Sequence, residues 1–256
     1  MTKLDSLQPN GTPTWIDLGI PDLDRAMEFY GAVFGWEFDV GPESMGRYTM
    51  CLIEGREVAA IMPNHDSEAS EFWWNVYFAT DDVATTVSKA EAAGGHVIAP
   101  PTDVMDKGRM AIVKDPVGAQ FGLWHGNRHV GARVVNEPNA LLRNDLVTPN
   151  PGPAREFYAQ VFGYTLDSEG YLGDDDFTFL RRPDGHEIGG IVGEPKARTA
   201  SWGTLFMVDD ADATAARATE AGGTADAPYD MAYGRVAEIK DPFGTPFSVG
   251  SPKFGG

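Results

Sequence analysis

Two carboxylates, each two residues from a large aromatic or cationic side chain in a segment of alternating polarity, are best placed for chemistry. Asp17, in TWIDLGI (residues 14–20), shares strand parity with Trp15, and Asp145, in residues 141–147, shares it with Arg143. An inward-facing carboxylate must be paired, hydrogen-bonded or neutralised. Arg143 offers Asp145 a partner, so a structural ion pair is the simpler account there and a ligand-binding pair the alternative. Asp17 has no such neighbour and is the better candidate for an acid, a base or a polar anchor. The same parity groups Trp73 with Asn75 and Tyr77, and Gln120 with Gly122 and Trp124. With Asp17 as a base, Asn75 or Tyr77 is the candidate donor to a developing oxyanion. Indole faces at Trp15, Trp73 and Trp124 suit a flat conjugated ligand, each contact adding on the order of 0.5 to 1.5 kcal/mol beyond area burial. Equally, the rings could simply fill a core.

Other candidates are weaker. The histidines are His65, His96, His125, His129 and His186. His125 and His129 have the i, i+4 spacing of a helical metal pair, but Gly126 and Gly131 flank them in linker-like sequence, so a surface pair is expected. Asp174, Asp175 and Asp176 read as an acidic hairpin loop. Arg109 and Arg235 precede the last strands and could reach an anionic group at a cavity mouth. Met105, Met231 and Tyr233 lie in residues 101–108 and 228–234, segments that suit lids over a cavity and ordinary surface loops alike.

The elements that must position these groups come twice. FYGAVFGW at residues 29–36 returns as FYAQVFGY at 157–164, an offset of 128 residues. AEAAGG at 90–95 matches ATEAGG at 218–223, and GRMAIVKDPVGAQFGLW at 108–124 matches GRVAEIKDPFGTPFSVG at 234–250, where the offset has become 126. Within each copy a strand, a capped helix and three short strands occur twice. Asp22, the Asp81-Asp82 pair and the Asp209-Asp210 pair stand where helix caps belong, and apolar Ala26, Phe29, Tyr30 and Val33 give the first helix one buried face. Asp115 and Asp241 open DPxG turns between the last two strands of each copy. Strands are expected at 72–79 and 96–99, the latter followed by a Pro100-Pro101 loop. The expected fold class is α+β: four βαβββ modules in two tandem domains with curved mixed sheets. A flexible tail covers residues 1–10, the first domain 11–126, a linker 127–138, the second domain 139–251 and a tail 252–256.

Composition narrows the function. Of 256 residues, 42% are hydrophobic, enough for two cores of ordinary size. A formal charge of −18 repels nucleic-acid phosphate and anionic lipid. Neither nucleic acid nor a membrane is an expected partner; a small-molecule ligand is, with the chain a monomer or homodimer. The single cysteine, Cys51, forms no internal disulfide, the polar start lacks a signal-peptide core, and no apolar run is long enough to span a bilayer, so a cytoplasmic protein is expected.

The FY-x3-FG stretches, the strand-plus-DD entries and the DPxG hairpins, in this order and twice over, resemble the vicinal oxygen chelate superfamily of glyoxalase I, extradiol dioxygenases and the bleomycin- and fosfomycin-resistance proteins. The two-domain arrangement looks like an actinobacterial branch labelled glyoxalase-like or hydroxylase-like. The resemblance implies curved sheets around a ligand cavity. In metal-using relatives it also implies a divalent ion held by His or carboxylate from the first, fifth and last strands of a domain. Carried onto this sequence, those positions are Trp15, Asn75 and Gly122, then Arg143, Gly203 and Ser248. An indole, a guanidinium and glycines offer such an ion no donors, so no metal and no cofactor is expected.

Two functions follow. As a binding module, the chain holds an aromatic or polycyclic metabolite in a Trp-lined cavity, for resistance or secondary metabolism. As an enzyme, it performs cofactor-free isomerase, lyase or hydratase-like proton transfer with Asp17. A third, weaker reading keeps glyoxalase-like lyase or hydroxylase activity with a metal held elsewhere. The sequence leaves binder and enzyme both open.

Overall fold

Asp22, Asp82 and Asp210 each accept a hydrogen bond from the backbone N–H three residues on, at Arg25, Thr85 and Ala213, over 3.0–3.1 Å. They thereby start three helices by satisfying an N–H that has no partner within the first turn. The helices carrying the repeated aromatic motif end at Gly35 and Gly163, whose φ of 69° and 72° are left-handed values that glycine adopts without a Cβ clash.

In this computed structural model, residues 4–64, 66, 68–168 and 176–252 are described. The first half runs β1 (Pro13–Ile20), α1 (Leu23–Phe34), β2 (Glu37–Asp39), a 3₁₀ turn (Glu43–Met45), β3 (Thr49–Ile53), β4 (Arg56–Pro63), β5 (Trp74–Ala79), α2 (Val83–Ala92), β6 (His96–Val104), β7 (Gly108–Lys114) and β8 (Gln120–Gly126). The second runs β9 (Leu141–Thr148), α3 (Pro151–Phe162), β10 (Thr165–Asp167), β11 (Asp176–Arg181), β12 (Glu187–Gly193), β13 (Ser201–Met207), α4 (Ala211–Glu220), β14 (Thr224–Ala225), β15 (Tyr229–Met231), β16 (Gly234–Lys240) and β17 (Pro246–Pro252). The α+β expectation holds. The sheets are mixed, with orders β2-β3-β4-β1-β5-β8-β7-β6 and β10-β11-β12-β9-β13-β17-β16-β14, and β15 added beside β16. In each, the first strands of two modules lie antiparallel at the centre. The register of the first sheet sets Trp15 beside Tyr77, Asp17 beside Asn75, and Tyr77 beside Gly122.

The inner faces of the two sheets and the four helices share one continuous core. Its centre is reciprocal: Trp74 packs on Phe206 at 5.6 Å between ring centroids, and Phe78 on Trp202 at 5.1 Å. Around it, the Tyr30 hydroxyl on α1 donates to Asp241 (3.1 Å) and the Tyr158 hydroxyl on α3 donates to Asp115 (3.0 Å), each reaching the DPxG turn of the opposite half. Each aspartate also accepts backbone N–H groups within its own turn. One oxygen thus shapes a hairpin while the other ties it to the neighbouring sheet. Among the described residues, no helix is long and apolar enough to cross a membrane.

The structure corrects the sequence reading in several places. β6 runs through Pro100 and Pro101 instead of ending at a loop; it is an edge strand with irregular register at those prolines, where the missing N–H is tolerated. β5 begins at Trp74, two residues later than expected. The segment from Leu4 is not a free tail: Leu4 N–H donates to the Arg133 carbonyl, and Asp5 pairs with Arg56 and Arg133. Asp174, Asp175 and His65 lie outside the described residues.

The Tyr158 hydroxyl also accepts from the Trp202 indole N–H at 2.9 Å, so Tyr158→Phe breaks two buried bonds. Loss of about 2 to 3 kcal/mol of stability is expected, read from the denaturant midpoint. An unchanged midpoint would show that this tie does not hold the halves together.

Candidate functional site

Parity along β1, β5 and β8 brings Trp15, Asp17, Asn75, Tyr77, Gln120 and Trp124 to the outer face of the first sheet, as expected. Seven strands, β1 and β3 to β8, send side chains there: Tyr48, Met50, Ala60, Val104, Met110 and Ile112 join Trp15, Tyr77 and Trp124 in one cluster. We term this face the first cup; Asp17, 3% exposed, lies buried in it.

A directed chain of hydrogen bonds converges on Asp17. Trp73 and Gln120 donate to the Asn75 Oδ1 at 3.0 and 3.2 Å. That fixes the carboxamide so that its Nδ2 donates to Asp17 Oδ1 at 3.0 Å. On the other side, the Trp15 indole N–H donates to the Tyr48 hydroxyl (2.8 Å), which donates to Asp17 Oδ2 (3.1 Å). No arginine or lysine pairs with this carboxylate among the described residues. Burial pushes the Asp17 carboxyl up to about 6, opposed by hydrogen bonding from Asn75, Tyr77 and Tyr48. The donors do not offset the loss of water.

The rings are arranged differently from the expectation of three indoles facing an open hollow. Trp15 and Trp124 are 3% and 7% exposed and form the floor. The Tyr77 ring passes directly over Gly122, where a Cβ would stand 2.0 Å from its Cδ1, so only glycine fits beneath it. Trp73 alone of the three is open, at 44% exposure, its N–H anchored inward on Asn75.

His129 overturns the expectation of a surface pair. It is 7% exposed, its ring edge-on to Trp15 at 4.3 Å and close to Trp124 at 5.5 Å, while its carbonyl accepts from the Trp124 indole N–H at 2.9 Å. Burial holds its pKa down at about 4, so the imidazole is neutral at pH 7. His125 instead contacts the Thr80 carbonyl at 2.9 Å. Residues 127–138, expected as a linker, thus pack against the first cup: Ala132 belongs to its cluster, Val135 packs on it, and Arg133 Nε donates to Glu57 at 2.9 Å. The apolar run His129-Val130-Gly131-Ala132 was the signal for this, and Tyr48 was detectable from its shared parity with Met50.

Arg109 is not at the cup mouth. It sits out of phase with the cup residues Met110 and Ile112, and it pairs with Asp103 at 2.6 Å; Arg235 likewise pairs with Asp212. Met105 is exposed on the turn between β6 and β7.

In the second half, Arg143 and Asp145 do come together. Arg143 Nε donates to both Asp145 oxygens at 2.8 and 2.7 Å, and its Nη1 donates to Glu187 at 2.5 Å. The guanidinium lies 5.5 and 5.7 Å from the Phe177 and Phe179 rings, which sequence reasoning missed. Tyr233, 59% exposed, is near enough to feel the charges of Asp145 and Arg143, and Met231 is half-buried in β15.

The positions implied for a divalent ion do not fit one. They hold an indole bonded to tyrosine, a carboxamide already occupied, and a glycine under a ring; in the second half they hold a paired guanidinium, a glycine and a serine bonded to Glu238. Among the described residues, no three His, Cys, Asp or Glu side chains gather to hold a metal.

Residues 12–123 match the Glyoxalase/Bleomycin resistance protein/Dioxygenase superfamily, and residues 144–250 match the Glyoxalase-like domain. The chain belongs to this superfamily. It is 42% identical over 249 residues to "Putative glyoxylase CFP32" of Mycobacterium tuberculosis, covering 94% of this chain and 95% of that protein. It is 36% identical over 257 residues to "Anthracycline biosynthesis protein DnrV" of Streptomyces peucetius, covering 93% and 92%. Among solved structures, the fold is shared with a Mn(II)-bound glyoxalase from Novosphingobium aromaticivorans, with a TM-score of 0.68 at 20% identity over 95% of this chain and 83% of that one.

A carboxyl whose folded value of about 6 lies above 3.8 keeps a proton that the unfolded chain has released. Its contribution to stability is greatest below about pH 4 and falls by roughly 3 kcal/mol as pH rises through 6. Asp17→Asn cannot ionise, so the stability of the wild type minus that of the variant should fall by about 2.4 kcal/mol between pH 4 and 7 in denaturant titrations. A flat difference would show that Asp17 titrates as an ordinary carboxyl.

Proposed function

We propose that this chain binds a flat aromatic or polycyclic small metabolite at the mouth of the first cup, without a metal, in a secondary-metabolism or resistance role. The observation that carries this reading is the Trp73 indole: half-exposed, yet fixed by its bond to Asn75 above the network leading to Asp17. An aromatic face held still in the open loses little freedom when a second ring stacks on it. Gln120 and Asn75 beside it supply polar groups to orient the ligand. Relatives named for anthracycline biosynthesis make a flat polycycle the class to test. Metal independence rests on the donor chemistry at Trp15, Asn75 and Gly122.

A second reading rests on Asp17. A buried carboxyl titrating near 6, without a cationic partner, suits proton abstraction near neutral pH. Both of its oxygens are hydrogen-bonded beneath Asn75 and Tyr48, and the Tyr77 ring is packed over Gly122. Substrate contact with Asp17 therefore requires the cup to open at Tyr48 or Asn75, which makes binding at Trp73 the simpler function.

Quenching of tryptophan fluorescence by planar polycyclic quinones tests the first reading. Trp73→Ala is expected to weaken affinity about tenfold, consistent with loss of a stacking face; unchanged affinity would remove the proposed site. Turnover of the same compounds by metal-stripped protein, lost in Asp17→Asn, would move the assignment from binder to enzyme.

A further inference from the structure

We infer that the outer face of the second half is a separate site, for a flat ligand carrying a protonated amine. The repeat makes the comparison with the first cup direct. Where the first half has Asn75, Tyr77 and Trp124, the second has Gly203, Leu205 and Gly250. The bulk that closes the first cup is thus missing from the second, and Ser201, Gly203 and Glu238 stand exposed. A cleft of about 180 Å³ opens beside Glu238, against Thr224 and Pro246.

Phe177 and Phe179, 4.8 Å apart, are already covered by the Arg143 guanidinium, whereas Tyr229 and Tyr233 project from the β15–β16 hairpin at 43% and 59% exposure and offer the open rings of this face. Its charges select the ligand. Arg143 is committed to Asp145 and Glu187, and Arg181 to Asp167 and Glu187. Glu238 instead accepts neutral donors, the Tyr229 hydroxyl at 3.3 Å and the Ser248 hydroxyl at 2.7 Å, and no cation pairs with it among the described residues. Asp226 and Lys240 also line the cleft and contribute one charge of each sign. The carboxylates therefore exceed the cations, and an anion would meet guanidinium groups already paired. An ammonium group can approach Glu238 while its aromatic body stacks on Tyr233, where ring–ring contact adds to the charge attraction.

Tryptamine and indole-3-acetate, which share a ring and differ in the sign of their charge, test this on the full chain by calorimetric titration. Tryptamine is expected to bind at least ten times more tightly than indole-3-acetate. Glu238→Gln, which keeps hydrogen bonding and removes the charge, should weaken tryptamine about tenfold, and Tyr233→Ala about fivefold. Glu238→Gln should leave fluorescence quenching by neutral planar quinones unchanged, which separates this site from the one proposed in the first half. Equal affinity for the two probes, no binding of either, or loss in Trp73→Ala without loss in Glu238→Gln would overturn the inference.

Discussion

Two sheets back to back, each holding the other's hairpin through a tyrosine hydroxyl, are the constraint on which this structure depends. Tyr30 to Asp241 and Tyr158 to Asp115 are buried bonds to carboxyl groups whose pKa values burial raises. Desolvated carboxyls need donors, and each half supplies the donor for the other. The aromatic helix motif thus does more than fill a core. Phe29 and Phe157 pack on Phe247 and Phe121 of the opposite half, at 6.3 and 6.0 Å between ring centroids, and the adjacent tyrosines reach across beside them, so the repeated FY pair is both a core element and a joint.

Because the inner faces carry this shared load, the outer faces are free to differ. The first has become a layered cup of indole, phenol and carboxyl, closed at its floor and most open at Trp73 among its three indoles. The second has kept small residues along β13 and β17 and assembled an ionic network around Arg143, with two phenylalanine rings beside it. The aspartate at the same place in β1 and β9 shows how far they have diverged. Burial raises the pKa of both, but Asp17 is held by neutral donors while Asp145 is held chiefly by a guanidinium.

Much of this was legible in the sequence, because repeats, caps and strand parity are local patterns. The helix starts at Asp22, Asp82 and Asp210, the βαβββ order, and the common face of Trp15, Asp17, Asn75 and Tyr77 all follow from spacing alone. The failures were of another kind. Whether an indole is a floor or a ledge depends on what lies above it, and nothing near Trp15 in the chain announces His129 or Tyr48. Parity also fixes a face only while the strand lasts, so Trp73, just before β5, escaped burial. Arg109 has the opposite phase to Met110 and Ile112, a fact the spacing contained and position near a hairpin obscured. Prolines 100 and 101 suggested a loop because local chemistry does not reveal that a strand will lie at an edge.

The stretch joining the halves has a consequence for how such a molecule can be altered. By lending His129, Ala132 and Val135 to the interior of the first cup, it stopped being a tether and became a wall. The copies retain the outward form of interchangeable cassettes. A first copy cut at its last strand would nonetheless leave behind part of its own floor, so duplication, swapping or trimming of a half at that seam is no longer neutral.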